Sequence, residues 1–253
     1  MAKIIAVVTQ KGGVGKTTTA VNLASIIGEM GHSVLLVDID PQGNATSGVG
    51  LDKRKVKLST YDLLCGTEGA ENAAVKTAFP GLSIVPSGAV LAGAEIEMVE
   101  LAHRESRLKA ALAPFRERYE YIFIDCPPAL GLLTLNALVA ADTFLIPAQP
   151  EYYALEGLSQ LIATVRQVKR LYNPSLELEG VLFTMYDGRT NLTQQVVAEV
   201  KRFFPRKVYA TVVPRSVRLA EAPSYGRPIN YYDTGSKGGR AYQALAEELL
   251  SHQ

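Results

Sequence analysis

Seven short apolar runs rich in β-branched residues alternate with helix-length segments along the whole chain, and this alternation restricts the fold more than any other feature. The runs are Lys3 to Val8, Ser33 to Val37, Leu82 to Val85, Tyr121 to Ile124, Thr143 to Ile146, Gly180 to Thr184 and Val208 to Val213. Several are apolar on both faces, as strands covered by helices on each side must be. Helical patterning fills the gaps, as in Thr17 to Met30, Arg104 to Tyr119, Leu155 to Leu171 and Leu192 to Phe204, and a last helix is expected over Gly238 to Leu250, started after the glycines. Strand, helix, strand repeated in this way predicts an α/β fold: a doubly wound, mostly parallel sheet with helices on both faces. No internal repeat, low-complexity tract or linker interrupts it, so residues 1–253 are expected to form a single domain.

The remaining composition excludes several classes. At 47% hydrophobic and 20% charged, the chain is neither disordered nor fibrous. Two cysteines, Cys65 and Cys126, are too few for a disulfide framework or a four-thiolate metal site, which fits a reducing cytoplasm. The opening apolar run is too short for a signal-peptide core, and no uncharged stretch reaches the ~20 residues of a membrane span. The expectation is a protein neither exported nor membrane-spanning.

Directly after the first run comes Gln10-Lys11-Gly12-Gly13-Val14-Gly15-Lys16-Thr17-Thr18, and a helical stretch follows it. Strand, glycine loop and helix are the context a phosphate cradle needs. Glycines let successive amides turn inward on an anion, the helix N-terminus adds positive potential, Lys16 reaches the β- and γ-phosphates, and the Thr17 hydroxyl ligates Mg²⁺. Two departures from the general P-loop pattern stand out: Gln10 occupies its first glycine position, and Lys11 is an additional lysine.

Acidic residues end two later strands, where ligands of open α/β sheets gather. These are Asp38 and Asp40 in Val37-Asp38-Ile39-Asp40-Pro41, and Asp125 in Ile124-Asp125-Cys126-Pro127-Pro128. Asp125 is placed to bind Mg²⁺ through a water, Asp38 to support the metal shell, and Asp40 to orient or deprotonate the attacking water.

At this point the sequence resembles the ParA/Soj family of chromosome- and plasmid-partitioning ATPases, in the deviant Walker A group that also contains MinD. The matching segments are Lys11 to Thr19, Val37 to Gly48, Ile124 to Pro128, Glu151-Tyr-Tyr-Ala-Leu-Glu-Gly157 and Leu219-Ala-Glu-Ala-Pro-Ser-Tyr-Gly226, and they span nearly the whole chain. The resemblance implies that Lys11 crosses the interface of an ATP-sandwiched homodimer to touch the partner's nucleotide. It also implies that adenine lies against Val213-Pro214-Arg215-Ser216-Val217-Arg218, with Met185 nearby. The family usually has an asparagine where this chain carries Ser216, which weakens a side-chain contact to the base there and leaves the Pro214 backbone contact standing. ATP and Mg²⁺ are the implied cofactors. The implied activity is slow ATP hydrolysis, stimulated by a ParB/Spo0J-type partner, with nonspecific DNA bound by the dimer in a cytoplasmic, nucleoid-associated protein.

The charge distribution agrees. Net charge is only +1, yet residues 166–240 hold 13 Lys and Arg against 6 Asp and Glu. Basic side chains on one face bind phosphates without reading bases, and no helix-turn-helix or zinc pattern suggests sequence-specific recognition. Arg189 and Arg218, expected in loops on either side of a basic helix, are the first candidates. A MinD-like membrane ATPase is the closest alternative; its mark would be a basic amphipathic C-terminal helix, whereas residues 244–253 contain acids and no Lys or Arg. A metabolic ATP-dependent kinase or amide-forming ligase on the same scaffold would give Lys11 and the basic stretch no evident purpose. An iron–sulfur relative would need two ligating cysteines per subunit, and Cys126 reads as a buried small residue.

Overall fold

Alternate residues of the first strand face opposite sides of the sheet, and both sides are dry: Ile4 and Ala6 join one apolar cluster, Ile5 and Val7 the other. A computed structural model describes residues 1–152 and 154–251; Tyr153, from the quoted Glu151 to Gly157 segment, and the last two residues, His252 and Gln253, lie outside the described residues. Its strands are β1 (Lys3–Val7), β2 (Val34–Asp38), β3 (Val75–Lys76), β4 (Leu82–Val85), β5 (Tyr121–Asp125), β6 (Thr143–Ala148) and β7 (Glu177–Phe183). They form one sheet in the order β3-β4-β2-β5-β1-β6-β7, parallel throughout except where β3 runs against β4. The chain leaves β1 for β2 on one side and later reaches β6 on the other. The carboxyl end of β1 is therefore the crevice at which such sheets bind ligands.

The helix Lys16–Glu29 and the last helix, Lys237–Ser251, cover one face, while Leu132–Ala140 and Ala154–Leu171 cover the other. The latter helix shows the expected spacing, burying Ala154, Leu158, Leu161, Val165 and Val168.

Four expectations need correction. Val208 to Val213 forms no strand. Tyr209 and Val213 donate to the β7 carbonyls of Val181 and Phe183, but between them the amides of Ala210 and Thr211 turn onto the Glu248 carboxylate of the last helix, at 2.6 and 2.9 Å. Arg104 to Tyr119 is not one helix. It is α-helical only over Arg107–Leu112 and tightens to a 3₁₀ turn over Ala113–Glu117, because Pro114 lacks the amide that an α-helix would use. The last helix does not wait for its glycines. Gly238 and Gly239 lie inside its first turn, where a Cβ would come within 2.6 Å of the Leu219 side chain and 2.5 Å of the Thr234 carbonyl. Finally, Arg218 lies in a short helix, Val217–Glu221, rather than in a loop; Arg189 does sit in a loop, just before the helix Asn191–Phe203.

Candidate active site

The glycine loop at the end of β1 has the backbone a cradle requires. Gly13 and Gly15 adopt φ values of 74° and 82°, in the left-handed region that favours glycine, and Lys16 opens the helix. Among the described residues, the amides of 12–18 find no backbone acceptor, and they remain available to an anion. Other elements hold the loop from outside. The Thr184 hydroxyl, just past β7, donates to the Val14 carbonyl at 2.7 Å, and the Thr19 hydroxyl donates to the Gly15 carbonyl at 2.8 Å. Gly12 differs from Gly13 and Gly15 in that its φ is not positive; like Gly13 it is exposed, and nothing lies within 4 Å of the Cβ it lacks.

Parallel pairing of β2 with β5 sets Asp38 directly beside Asp125, and pairing of β5 with β1 sets Asp125 beside Val7 at the foot of the loop. The three acids and Lys16 therefore converge. Lys16 is buried, with Nζ 3.9 Å from Asp125 Oδ1. Both oxygens of Asp125 are buried without a hydrogen-bond partner among the described residues. Burial pushes its carboxyl up to about 6, with Lys16 and Thr17 offsetting part of the rise. An orphaned buried carboxylate beside a cradle and a threonine hydroxyl is the oxygen chemistry that Mg²⁺ requires. Among the described residues, no cluster of three or more His, Cys, Asp or Glu side chains could hold an ion by itself. Mg²⁺ takes one or two carboxylates and completes its shell with substrate phosphates and water.

Asp38 and Asp40 differ in how much of their carboxylate is already used. Asp38 Oδ2 accepts from the Thr46 amide at 2.8 Å and the Thr46 hydroxyl at 2.7 Å, and Oδ1 accepts from the Asp40 amide at 3.2 Å. Burial, and then the neighbouring charge of Asp125, push the Asp38 carboxyl up to about 7. Asp40 accepts on Oδ1 alone, from the Gln42 amide at 2.9 Å, and Oδ2 is left uncommitted among the described residues. Its backbone is fixed separately, the Ser87 hydroxyl donating to the Asp40 carbonyl at 2.7 Å.

Lys11 lies half-exposed on the loop's outer side and pairs with the Glu151 carboxylate. Met185 is forced to a φ of 48° where β7 leaves the sheet, a conformation uncommon for a residue with a side chain. A parallel bridge joins the next residue, Tyr186, to Pro214, so the structure brings together the two loops carrying Met185, Pro214 and Ser216. Ser216 precedes the helix Val217–Glu221 without capping it through its side chain. A cleft of about 420 Å³ opens beside the first turn of the helix Lys16–Glu29, lined in part by Thr17, Thr18, Asn22, Ser47, Leu219 and Arg227; Met185, Pro214 and Ser216 lie outside its lining. Cys126 is fully buried, its thiol pushed up by burial, as expected of a packing residue.

Sequence reasoning missed Thr46, Ser87 and Thr184, each an isolated hydroxyl that gains meaning only through a distant partner. Glu151 lay in a matching segment, but nothing in its spacing tied it to Lys11.

The raised carboxyls have a stability consequence. Asp38 and Asp125 hold protons in the folded chain that the unfolded chain releases, so their contribution is full below the ordinary value of 3.8 and is lost as pH rises through about 6 to 7. We expect nucleotide-free protein to be less stable at pH 8 than at pH 5.5, and Asp125→Asn to recover on the order of 2 kcal/mol at pH 8. Chemical denaturation at the two pH values in chelator checks this. An Asp125→Asn variant no more stable than wild type at pH 8 would contradict it.

A family model described as an AAA domain matches residues 2–178. The chain is 55% identical over 252 residues to the sporulation initiation inhibitor protein Soj of Bacillus subtilis (strain 168), covering 100% of both chains. It is 47% identical to the chromosome-partitioning ATPase Soj of Treponema pallidum (strain Nichols), covering 99% of this chain and 98% of that one. Among solved structures, a cobyrinic acid a,c-diamide synthase from Mycobacterium smegmatis with bound ADP and magnesium is 38% identical, with a TM-score of 0.87 over 100% of this chain and 95% of that one.

Proposed function

The chain belongs to the ParA/Soj family of partitioning ATPases, and from that premise we propose that it binds Mg²⁺ and ATP at the β1 crevice, dimerises around the nucleotide, binds DNA without sequence preference and hydrolyses ATP slowly until a ParB/Spo0J-type partner stimulates it. The observation that carries this reading is the convergence of Lys16, an Asp125 carboxylate that accepts no hydrogen bond among the described residues, and a row of amides without backbone acceptors at the end of β1. Lys16 and the amides of Gly12, Gly13, Val14, Gly15, Thr17 and Thr18 hold the phosphates. Thr17, Asp125 and Asp38 form the side of the site that would hold Mg²⁺, which would supply positive charge against the phosphates. Asp40, with one oxygen uncommitted, orients the attacking water. Met185, Pro214 and Ser216 border the base.

Lys11 acts on the partner's nucleotide, for which it must exchange Glu151 for phosphate. Gly12 supports the same interface: the monomer gives it neither a steric nor a conformational reason to be glycine, so the requirement falls on what approaches from outside. Gly12→Val should therefore bind ATP close to wild type and fail to dimerise. Sedimentation in ATP reads the second effect and nucleotide titration the first; a variant that dimerises with ATP removes Gly12 from the interface.

DNA is assigned to the basic 166–240 stretch, with Arg189 and Arg218 contacting phosphates, and association with the nucleoid follows from that assignment. Among the described residues, no helix is long and apolar enough to cross a membrane. The last helix spends its apolar face internally, burying Tyr242, Leu245, Ala246 and Leu249. The diamide synthase similarity keeps an ATP-dependent amide-forming activity as the second reading.

Size-exclusion with ADP, ATP and a nonhydrolysable analogue, each with and without duplex DNA, tests the reading. An ATP-specific dimer that co-elutes with DNA is the expected result. A monomer under every condition, with turnover only when a small acceptor is added, would favour the ligase.

A further inference from the structure

The two arginines on which DNA binding rests both carry carboxylate partners. Arg189 donates from Nε and Nη2 to the two oxygens of Asp187 at 2.8 and 2.6 Å, and its amide donates to Asp187 Oδ1 at 3.2 Å. Arg218 donates from Nη1 to Glu221 Oε2 at 3.0 Å, and its Nε stands 3.3 Å from Asp233 Oδ2. The Tyr232 hydroxyl donates to the same Glu221 oxygen at 3.1 Å. Arg189 holds the Asp187 carboxyl down at about 2. The Arg189 loop runs beside the segment that leads into the Arg218 helix, since the Tyr186 amide donates to the Val213 carbonyl at 3.0 Å.

A planar guanidinium fork that meets both oxygens of a carboxylate presents the geometry a phosphodiester would use. On the DNA-binding reading above, we propose that Asp187 and the Glu221–Asp233 pair act as latches on Arg189 and Arg218, so that DNA engages each arginine only by displacing a carboxylate. The latches set the affinity of the DNA surface and keep it weak and reversible. Exposed pairs of this kind contribute little individually, so each latch lowers affinity roughly twofold to fivefold. A dimer presents two copies of each, and the factors multiply to roughly tenfold or more.

Substitution by asparagine tests this without disturbing the fold, because the amide side chain in Asp187→Asn keeps an oxygen that can accept from the Arg189 backbone amide. Affinity for two duplexes of unrelated sequence is measured at one fixed low salt concentration. The proteins compared are wild type, Asp187→Asn, Asp233→Asn, Arg189→Ala, and Asp187→Asn combined with Arg189→Ala. Glu71→Gln is the charge-matched control; Glu71 is an exposed acid beside β3, at the opposite edge of the sheet from β7. Asp187→Asn and Asp233→Asn should each tighten binding to both duplexes, Glu71→Gln should not, and the gain from Asp187→Asn should vanish when Arg189 is replaced by alanine. A gain that survives Arg189→Ala, or an equal gain from Glu71→Gln, would show generic repulsion and overturn the latch. Wild-type binding that both substitutions leave unchanged sinks the latch alone. No binding by any variant sinks the latch and the DNA reading together.

Discussion

Lys16→Ala should lower ATP affinity by at least about 100-fold and abolish ATP-dependent dimerisation, with the chain still folded. Lys16 is buried at the helix start, where its ammonium meets the phosphates in a site largely closed to water, so the lost attraction is poorly replaced by solvent. The removal also reaches Asp125. With Lys16 gone, burial is no longer offset by a cation 3.9 Å away, and the carboxyl, already raised to about 6, rises further and weakens as a partner for Mg²⁺. The same shift protects the fold, because Asp125 can take up a proton instead of remaining as an uncompensated buried charge. Calorimetric titration with Mg²⁺ and ATP measures the affinity, and circular dichroism checks the fold. Affinity close to wild type in a folded variant would remove Lys16 from the phosphate site.

The parts of the molecule legible in the sequence are those governed by local pattern. Two-sided apolar strands such as Tyr121 to Ile124 and the glycine loop before Lys16 carry their geometry in a few adjacent residues, and both formed where expected. Misreadings arose where a distant group competes for the backbone. Val208 to Val213 has the composition of a strand, yet Glu248, far along the chain, takes two of its amides. Strand β3 was invisible for a different reason: two exposed residues paired antiparallel to β4 leave no periodicity to read.

The acids of the site show the same limit. Spacing located Asp38, Asp40 and Asp125 at strand ends and gave each a role, but carried no measure of how much of each carboxylate is free. The ranking comes from Thr46 and Gln42, which determine how many lone pairs each carboxylate keeps for substrate. It also comes from the β2–β5 register, which sets Asp38 beside Asp125, whose charge adds to burial in raising the Asp38 carboxyl.

That ranking makes Asp40→Ala the sharpest test of the chemistry. We expect the variant to bind ATP and dimerise while hydrolysis falls by about 100-fold or more, the range associated with losing a positioned proton acceptor. The substitution costs one hydrogen bond, from the Gln42 amide, on the order of 1 kcal/mol, while the contacts of the Asp40 carbonyl with Ser87 and Gly43 survive because they use only the backbone. The phosphate cradle is untouched, since none of its amides depends on Asp40. Asp38→Asn should behave differently. Asp38 anchors Thr46 through two hydrogen bonds, and the Thr46 hydroxyl in turn accepts from the Ser87 amide at 2.9 Å, so changing Asp38 should disturb nucleotide binding and stability together. Single-turnover hydrolysis of prebound ATP, measured beside ATP affinity, separates the two variants. A normal single-turnover rate for Asp40→Ala would transfer the water-directing role to Asp38, which would have to serve through the acceptor site left on Oδ1 beside its three hydrogen bonds.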